Sequence, residues 1–287
     1  MRKVTFAATQ FACSWDRDGN IAKAKALVRG AASKGAQVVL LQELFETPYF
    51  CQDQTPKHFA LAAPFEGNPL IGEMSALAAE LKVVLPVSFF ERAGHAHFNS
   101  LAMVDADGAV LGLYRKSHIP AGPGYQEKYY FTPGDTGFRV WRTRYGTLGC
   151  GICWDQWFPE SARAMALLGA EALLYPTAIG NEPPPAPPVD SREHWTRVMQ
   201  GHAGANSMPL VASNRIGTEM GESGELTFYG SSFIADATGA IVASLPTDRE
   251  GVAVAEFDLD EIAKARASWG VFRDRRPDLY APLHTHG

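Results

Sequence analysis

Two hydrophobic periods alternate along the first third of the chain. Segments in which apolar residues recur at every second position, or form a short unbroken run, predict strands. Segments in which they recur every three or four positions predict helices. One such helical face is formed by Leu70, Met74, Leu77 and Leu81. The pattern predicts strands at residues 3–11, 37–42 and 83–90, and helices at residues 20–33 and 69–81.

The middle and the end of the chain carry a second signal, that of antiparallel hairpins. Apolar runs flank turns with the sequence Asp-x-x-Gly at residues 105–108 and 236–239, and a third pair flanks Tyr145-Gly146. Glycine at such a position accepts the positive φ of the turn. Hairpins mixed with β-α units argue against a purely parallel sheet. We expect two related mixed sheets packed face to face with helices outside, in one domain over residues 1–287.

Composition narrows the class of protein. The chain has 287 residues, of which 46% are hydrophobic and 20% charged, as in proteins with a substantial core. A formal net charge of −5 gives no electrostatic basis for binding nucleic acid or an anionic membrane. The apolar stretch after Met1 is too short for a signal peptide, and no window could span a bilayer. We therefore expect a cytoplasmic enzyme or binding protein with a small-molecule ligand.

Four cysteines in a chain of this length do not form a disulfide framework. Cys150 and Cys153 make a Cys-x-x-Cys pair that allows several interpretations. A zinc site would need a second Cys or His pair, and a redox dithiol would need a helix beginning at the first cysteine. Cys150 instead occupies a strand position that faces the core. Two buried structural thiols also remain possible.

Three ionisable residues each lie just beyond a predicted strand. Glu43 follows the strand at 37–42, Lys116 follows 109–114, and Cys153 follows 147–152 on a sharp turn before a helical stretch at 158–169. A cysteine nucleophile needs a base that takes its proton, which a nearby carboxylate can supply. Acyl chemistry also needs a cation or N–H donors for the oxyanion. The three residues therefore predict one catalytic pocket.

The segments that carry these residues resemble a known family. Residues 41–43 (Leu-Gln-Glu), 114–116 (Tyr-Arg-Lys) and 151–155 (Gly-Ile-Cys-Trp-Asp) are similar, in order and spacing, to the signatures of the nitrilase (carbon–nitrogen hydrolase) superfamily. The resemblance covers essentially the whole chain. It implies an α/β protein with mixed sheets in a four-layer α-β-β-α sandwich. It also implies a Glu-Lys-Cys triad without metal or cofactor, and homo-oligomers built from dimers.

Longer stretches are similar to one branch of that superfamily, the N-carbamoylputrescine amidohydrolases. These stretches are residues 118–131, 153–160 and 190–215. This similarity implies hydrolysis of N-carbamoylputrescine to putrescine, ammonia and carbon dioxide, a step of polyamine biosynthesis from agmatine. The superfamily often carries a second glutamate between its Lys and Cys segments, which implies that Glu127 is a fourth catalytic residue. The backbone N–H of Trp154 would share the oxyanion with Lys116.

The distal ammonium of such a substrate requires an acidic or aromatic wall. The candidates are Glu182, Asp155, Tyr49, Tyr130 and Trp157. Glu182 lies in the proline-rich stretch 180–190, which predicts a stiff loop that forms a pocket wall, followed by a helix from residue 191 to about 208 with Asp190 or Ser191 as its cap. His118, His194 and His202 allow a Cys-His pair, although Glu43 already supplies a base.

Several functions compete with this hypothesis. A β-ureidopropionase or N-carbamoyl amino acid amidohydrolase of the same superfamily would bind a substrate that ends in a carboxylate, and would need an arginine where this chain needs an acid. A nitrilase proper is disfavoured by the chain length and by the amidohydrolase-like loops. From another class, a non-catalytic polyamine-binding protein or a dithiol redox protein using Cys150 and Cys153 remains possible.

Overall fold

A computed structural model describes residues 1–183 and 190–285 of the chain. The strands are β1 (Lys3–Gln10), β2 (Val38–Leu40), β3 (Leu85–Ala93), β4 (Ala96–Val104), β5 (Val110–Arg115), β6 (Val140–Thr143), β7 (Gly146–Cys150), β8 (Ala172–Pro176), β9 (Leu210–Ser213), β10 (Ile216–Met220), β11 (Glu225–Tyr229), β12 (Phe233–Ala235), β13 (Ile241–Ser244) and β14 (Gly251–Asp258). The helices are α1 (Arg17–Ser33), α2 (Pro69–Leu81), α3 (Glu127–Tyr130), α4 (Pro159–Leu167), α5 (Arg192–Asn206) and α6 (Leu259–Trp269). Across the described residues, we find no helix with both the length and the apolar character to cross a membrane.

The strands of the first half of the chain, together with β14 from near its end, build one layer. β14, β1 and β2 form one sheet, and β3, β4 and β5 form another. A parallel bridge between Val38 and Val84 joins them, with the N–H of Val39 donating to the carbonyl of Val84 at 3.0 Å. The strands therefore follow one another in the order β14-β1-β2-β3-β4-β5, and Val84 leads directly into β3.

The second half builds a matching layer. Its six strands lie in the order β13-β12-β9-β8-β7-β6. The central strands β7, β8 and β9 are parallel, and an antiparallel neighbour closes each side. The mixture of parallel centre and antiparallel edges agrees with the hairpins and β-α units that the sequence predicts.

Apolar side chains fill the space between the two layers of strands. This inner core includes Phe6 of β1, Leu40 of β2, Met103 of β4, Leu148 of β7 and Ile234 of β12, all fully buried. Helices α1 and α2 pack on the outer face of the first layer, and α4 and α5 on the outer face of the second. The result is the expected four-layer α-β-β-α sandwich.

Some predicted elements have the same bounds in the structure, and others begin or end at different residues. The helix at Pro69–Leu81 agrees in full, and all three hairpins form. The strand predicted to reach residue 42 ends at Leu40, because Gln42 turns its side chain onto the backbone of Phe11 instead of continuing the ladder.

At the end of the chain, β14 and α6 occupy residues 251–269, for which no element was predicted. The signals were Asp258, whose carboxylate caps α6, and Gly270, which ends that helix with a φ of 82°. Residues 184–189 of the proline-rich loop lie outside the described residues. Ser191 is the N-cap of α5 but makes no capping bond with its side chain, and the carboxylate of Asp190 accepts a hydrogen bond from the N–H of Arg192.

We expect Phe6→Ala to destabilise the protein by about 3–5 kcal/mol, because it leaves a cavity between the two layers. Val242→Ala, on the exposed face of β13, is the control and should change stability by less than about 0.5 kcal/mol. Urea unfolding followed by circular dichroism measures both. Equal effects of the two substitutions would contradict the inner core described above.

Candidate active site

The three ionisable residues that follow predicted strands meet in the structure. Glu43 lies three residues beyond β2, Lys116 directly follows β5, and Cys153 lies three residues beyond β7. All three side chains are buried. The ammonium of Lys116 donates a hydrogen bond to Oε1 of Glu43 at 2.9 Å. Glu43 and Lys116 follow strands of the first layer, and Cys153 follows a strand of the second.

Glu127, the predicted fourth catalytic residue, lies in the same cluster. It is the first residue of the short helix α3 and is fully buried. Its two carboxylate oxygens accept hydrogen bonds from Nζ of Lys116 at 2.9 and 2.7 Å. The hydroxyl of Tyr49 donates a third bond at 2.6 Å. Glu127 is therefore saturated by donors and suited to hold the cation in place.

The two glutamates differ in what their oxygens contact. Oε1 of Glu43 accepts bonds from Lys116 and, at 2.7 Å, from the amide of Asn99. Oε2 of Glu43 is buried and has no hydrogen-bond partner among the described residues. A buried oxygen without a donor is the atom best placed to accept a proton. Glu43 can therefore act as a base, whereas Glu127 has no free oxygen for that role.

Burial and mutual charge set the ionisation of this cluster. Burial opposes the charge on Lys116, but the carboxylates of Glu127 and Glu43 outweigh it and hold the pKa of Lys116 well above its usual value. Burial raises the pKa of Glu127 to about 7, against the opposing effect of the Lys116 ammonium. Burial, and then the Glu43 carboxylate, also raises the pKa of the Cys153 thiol, which Lys116 lowers. The thiol thus depends on a base that removes its proton.

Cys153 lies on a strained turn. Its φ is 43°, in the left-handed region that residues with a Cβ rarely adopt. A 3₁₀ turn over Cys153–Trp157 follows and leads into α4. Gly151 permits the close packing of this turn, since a Cβ there would lie 2.8 Å from the ring of Tyr175. The sulfur on this turn lies 3.8 Å from the carbonyl oxygen of Ala178.

Arg215 holds the segment that carries Glu43. Its guanidinium is fully buried and donates to the carbonyls of Glu43 at 2.8 Å and Leu44 at 3.1 Å. Leu44 has a φ of 47°, so these bonds stabilise a strained backbone. Glu219 pairs with the arginine at 2.8 Å. No role was predicted for Arg215, because the sequence shows only an arginine just beyond an apolar strand.

A cavity of about 360 Å³ opens above the thiol. Its walls include Cys153, Trp154, Trp157, Tyr125, Glu182 and His194. The segment with Glu182 is fixed to β11, because Asn181 exchanges hydrogen bonds with the backbone of Thr227 at 2.9 and 2.7 Å. The hydroxyl of Tyr125 accepts a bond from the N–H of Gly180 at 2.9 Å. Partial burial raises the pKa of Glu182.

Three expected substrate contacts are not brought to this cavity. Tyr49 lies behind Glu127 and bonds to it. The hydroxyl of Tyr130 donates to the carbonyl of Asp53 at 2.5 Å. Asp155 is fully buried and uses both oxygens within the protein. Of the candidates for the distal amine, only Trp157 and Glu182 line the cavity, and Trp154 lies beside them.

Cys150, His118 and His202 have partners other than Cys153, whereas His194 lines the cavity and packs against Trp157 at 4.9 Å between ring centres. All four cysteines are free thiols, and Cys150 is buried in the inner core. His202 bonds to the carbonyl of Gln156 at 2.7 Å, and His118 bonds to Asp155 at 2.8 Å. In the part of the chain that the structure describes, His, Cys, Asp and Glu form no cluster of three that could hold a metal ion.

Comparisons with known proteins agree with this geometry. The chain matches a family model described as carbon-nitrogen hydrolase over residues 5–267. It is 62% identical to an N-carbamoylputrescine amidase of Solanum lycopersicum, covering 99% of this chain and 96% of that protein. A citrullinase of Francisella tularensis is 51% identical over 98% of each chain. The crystal structure of a carbon-nitrogen hydrolase from Helicobacter pylori G27 superposes with a TM-score of 0.93 at 41% identity, covering 99% of both chains.

Removing the buried cation should destabilise the protein in a pH-dependent manner. We expect Lys116→Met to cost about 3–5 kcal/mol at pH 8, because two buried carboxylates lose their cation. Without that cation the pKa of Glu127, already raised to about 7 by burial, rises further above its unfolded value. The Lys116→Met variant therefore keeps its stability below the unfolded pKa of the carboxylate and loses it as the pH rises. The substitution should cost less stability at pH 5 than at pH 8.

Urea unfolding at the two pH values measures this difference. The neighbouring exposed Lys128→Met is the matched control, with an expected change below about 0.5 kcal/mol at either pH. A cost of Lys116→Met that is the same at pH 5 and pH 8 would contradict the arrangement of one ammonium between two carboxylates.

Proposed function

We propose that this chain, which belongs to the carbon–nitrogen hydrolase family, hydrolyses N-carbamoylputrescine to putrescine, ammonia and carbon dioxide. The observation that carries the proposal is the buried cluster of Glu43, Lys116 and Cys153, of which Cys153 lines a cavity that also contains an acidic side chain, Glu182. The cluster supports cleavage of a C–N bond through a covalent thioester. The acidic wall supports a substrate with a distal cation.

The first half of the reaction forms that thioester. Oε2 of Glu43 takes the thiol proton of Cys153 while the sulfur attacks the ureido carbon of the substrate. The carbonyl π electrons move to its oxygen. When the oxyanion collapses, the bond to the terminal nitrogen breaks, and Glu43 returns its proton to that nitrogen. Ammonia leaves, and an N-(4-aminobutyl)carbamoyl group remains on the sulfur.

The oxyanion lies between two donors in this proposal, the ammonium of Lys116 and the backbone N–H of Trp154. A buried ammonium stabilises developing charge more than it would in water, because the site excludes solvent and the donor is already oriented. Glu127 and Tyr49 keep the ammonium in that orientation. The loss of one such donor typically costs about 100- to 1000-fold in kcat, which is the scale of the contribution assigned to Lys116.

The second half regenerates the enzyme. Glu43 takes a proton from water as the hydroxide adds to the thioester carbon. The bond from carbon to sulfur then breaks, and the thiolate of Cys153 recovers the proton from Glu43. The released N-(4-aminobutyl)carbamic acid loses carbon dioxide to give putrescine. Each step needs one base that alternates between accepting and donating a proton, which fits the free oxygen of Glu43.

The charge of the cavity supports a cationic substrate over an acidic one. Among the described residues that line it, none is lysine or arginine. Residues 184–189, which follow Glu182 in the sequence, are Pro-Pro-Ala-Pro-Pro-Val and add no basic side chain. Citrulline and β-ureidopropionate end in a carboxylate that such a wall would leave unpaired. The distal ammonium of N-carbamoylputrescine can instead pair with Glu182 beside the ring of Trp157.

We further propose a cytoplasmic location and a homo-oligomer built from dimers, with a small molecule as the substrate and no nucleic-acid or membrane partner. Free thiols at all four cysteines support a reducing compartment. Large apolar side chains near the end of the chain, Trp269, Leu279 and Leu283, are more than 60% exposed, which supports contact with a second copy.

A substrate panel tests the proposed reaction. Ammonia release should be fastest with N-carbamoylputrescine and lower by at least about tenfold in kcat/KM with citrulline or β-ureidopropionate, the factor that about 1.4 kcal/mol provides. Cys153→Ala should lose turnover, and Cys150→Ala should largely keep it, because of these two cysteines only Cys153 lines the cavity. Faster release from either carboxylate-ended ureide would reject the proposed substrate. Turnover by Cys153→Ala would reject the mechanism.

The role of Glu182 has its own test. We expect Glu182→Gln to raise KM for N-carbamoylputrescine about tenfold or more, because a charge-assisted hydrogen bond to the distal ammonium is worth about 1.5–3 kcal/mol. N-butylurea, which lacks the ammonium, is the matched control substrate and should show an unchanged KM. If both substrates respond equally in steady-state kinetics, Glu182 does not bind the distal amine.

A further inference from the structure

We propose that Asp155 is a positioning residue that fixes the distance between the Lys116 ammonium and the Cys153 thiol. The inference rests on the chemistry proposed for those two residues and deepens it. The two segments that carry Lys116 and Cys153 come from β5 of one layer and β7 of the other, and share no strand pairing. Asp155 joins them with a single carboxylate.

On the lysine side, the carboxylate contacts the residues two positions before and two positions after Lys116. The hydroxyl of Tyr114 donates to Oδ2 of Asp155 at 2.7 Å. The backbone N–H of His118 donates to Oδ1 at 3.0 Å, and the ring Nδ1 of His118 lies 2.8 Å from the same oxygen. Since a carboxylate accepts, Nδ1 carries the proton. Lys116 is thus held on both sides.

On the cysteine side, Asp155 closes the turn around the sulfur. The backbone N–H of Ile152 donates to Oδ2 of Asp155 at 2.9 Å, and the N–H of Asp155 donates to the carbonyl of Ile152 at 3.0 Å. Cys153 lies between these two residues with its φ of 43°. The reciprocal bonds therefore stabilise the strained backbone conformation of Cys153.

The donors around Asp155 explain why a carboxylate occupies this buried position. Asp155 is fully buried, and burying a charge is costly unless donors surround it. Four donors from two segments do so, and the His118 ring is itself held by stacking on Phe158 at 3.6 Å between ring centres, with 7° between the planes. Such a network is satisfied in one arrangement of the segments and in few others. A misplacement of about 1 Å can cost about 100-fold in rate.

The test uses Asp155→Asn, which keeps the size but places an NH₂ group against N–H donors. We expect kcat for N-carbamoylputrescine to fall about 10- to 100-fold while KM stays within about twofold, because the geometry of the reacting groups changes and the substrate wall does not. Alkylation of Cys153 by iodoacetamide, followed by peptide mass spectrometry, should slow as well. A displaced ammonium no longer lowers the pKa of the thiol, so the thiolate fraction falls.

Asn68→Ala is the control for a purely structural effect. Asn68 caps the remote helix α2, and its loss should lower stability by about 1 kcal/mol without changing kcat or the alkylation rate. Asp155→Asn enzyme that is folded by circular dichroism and retains wild-type kcat and alkylation would overturn the proposal. The alkylation needs no substrate, so a wrong assignment of the substrate would leave this result interpretable.

A second pair of variants keeps the proposal testable if Asp155→Asn does not fold. The side-chain amide of His118→Asn can replace the Nδ1 donor, whereas His118→Ala removes it, and both remove the stacking on Phe158. We expect His118→Asn to retain several-fold more kcat and faster alkylation than His118→Ala. Equal losses in both would assign the effect to ring packing and overturn the role of the carboxylate.

Discussion

One buried ammonium between two buried carboxylates is the interaction on which the rest of the site depends. Lys116, Glu43 and Glu127 come from different segments, and their charges are tolerable in the interior only when each is paired at hydrogen-bond distance. The protein therefore surrounds them with further buried polar groups. Asn99, Tyr49 and Arg215 bond to the glutamates or to their backbone, and each of these bonds fixes a segment that carries a charged residue of the cluster.

The pairing also separates two residues of the same type into two roles. Glu127 accepts three hydrogen bonds from two donor groups and has no free oxygen, so it is proposed to hold the ammonium. Glu43 has two donors on one oxygen and none among the described residues on the other, so it can exchange a proton with the thiol and with water. A single base is enough for both halves of the reaction, because each proton that it takes is returned before the next is needed.

The sequence predicted the elements whose signals are local and the residues that follow them. Pro69–Leu81 is marked by its helical apolar face and by Asn68, and Glu43, Lys116 and Cys153 by their positions beyond apolar runs. The assignment of Asp155 and Tyr49 to the substrate was not reproduced, because their partners lie 41 and 78 positions away and depend on how the two layers pack. Arg215 was missed for the same reason, since it bonds to residues 171 and 172 positions away.

The central claim is that Cys153, acting with Glu43 and not with Cys150, carries a covalent intermediate. Rapid mixing with N-carbamoylputrescine, acid quenching and peptide mass spectrometry test it most directly. The account predicts a transient N-(4-aminobutyl)carbamoyl adduct on the peptide that contains Cys153, located at that sulfur by fragmentation and unchanged in the Cys150→Ala enzyme. Turnover without an adduct on Cys153, or with the adduct on another side chain, would contradict it.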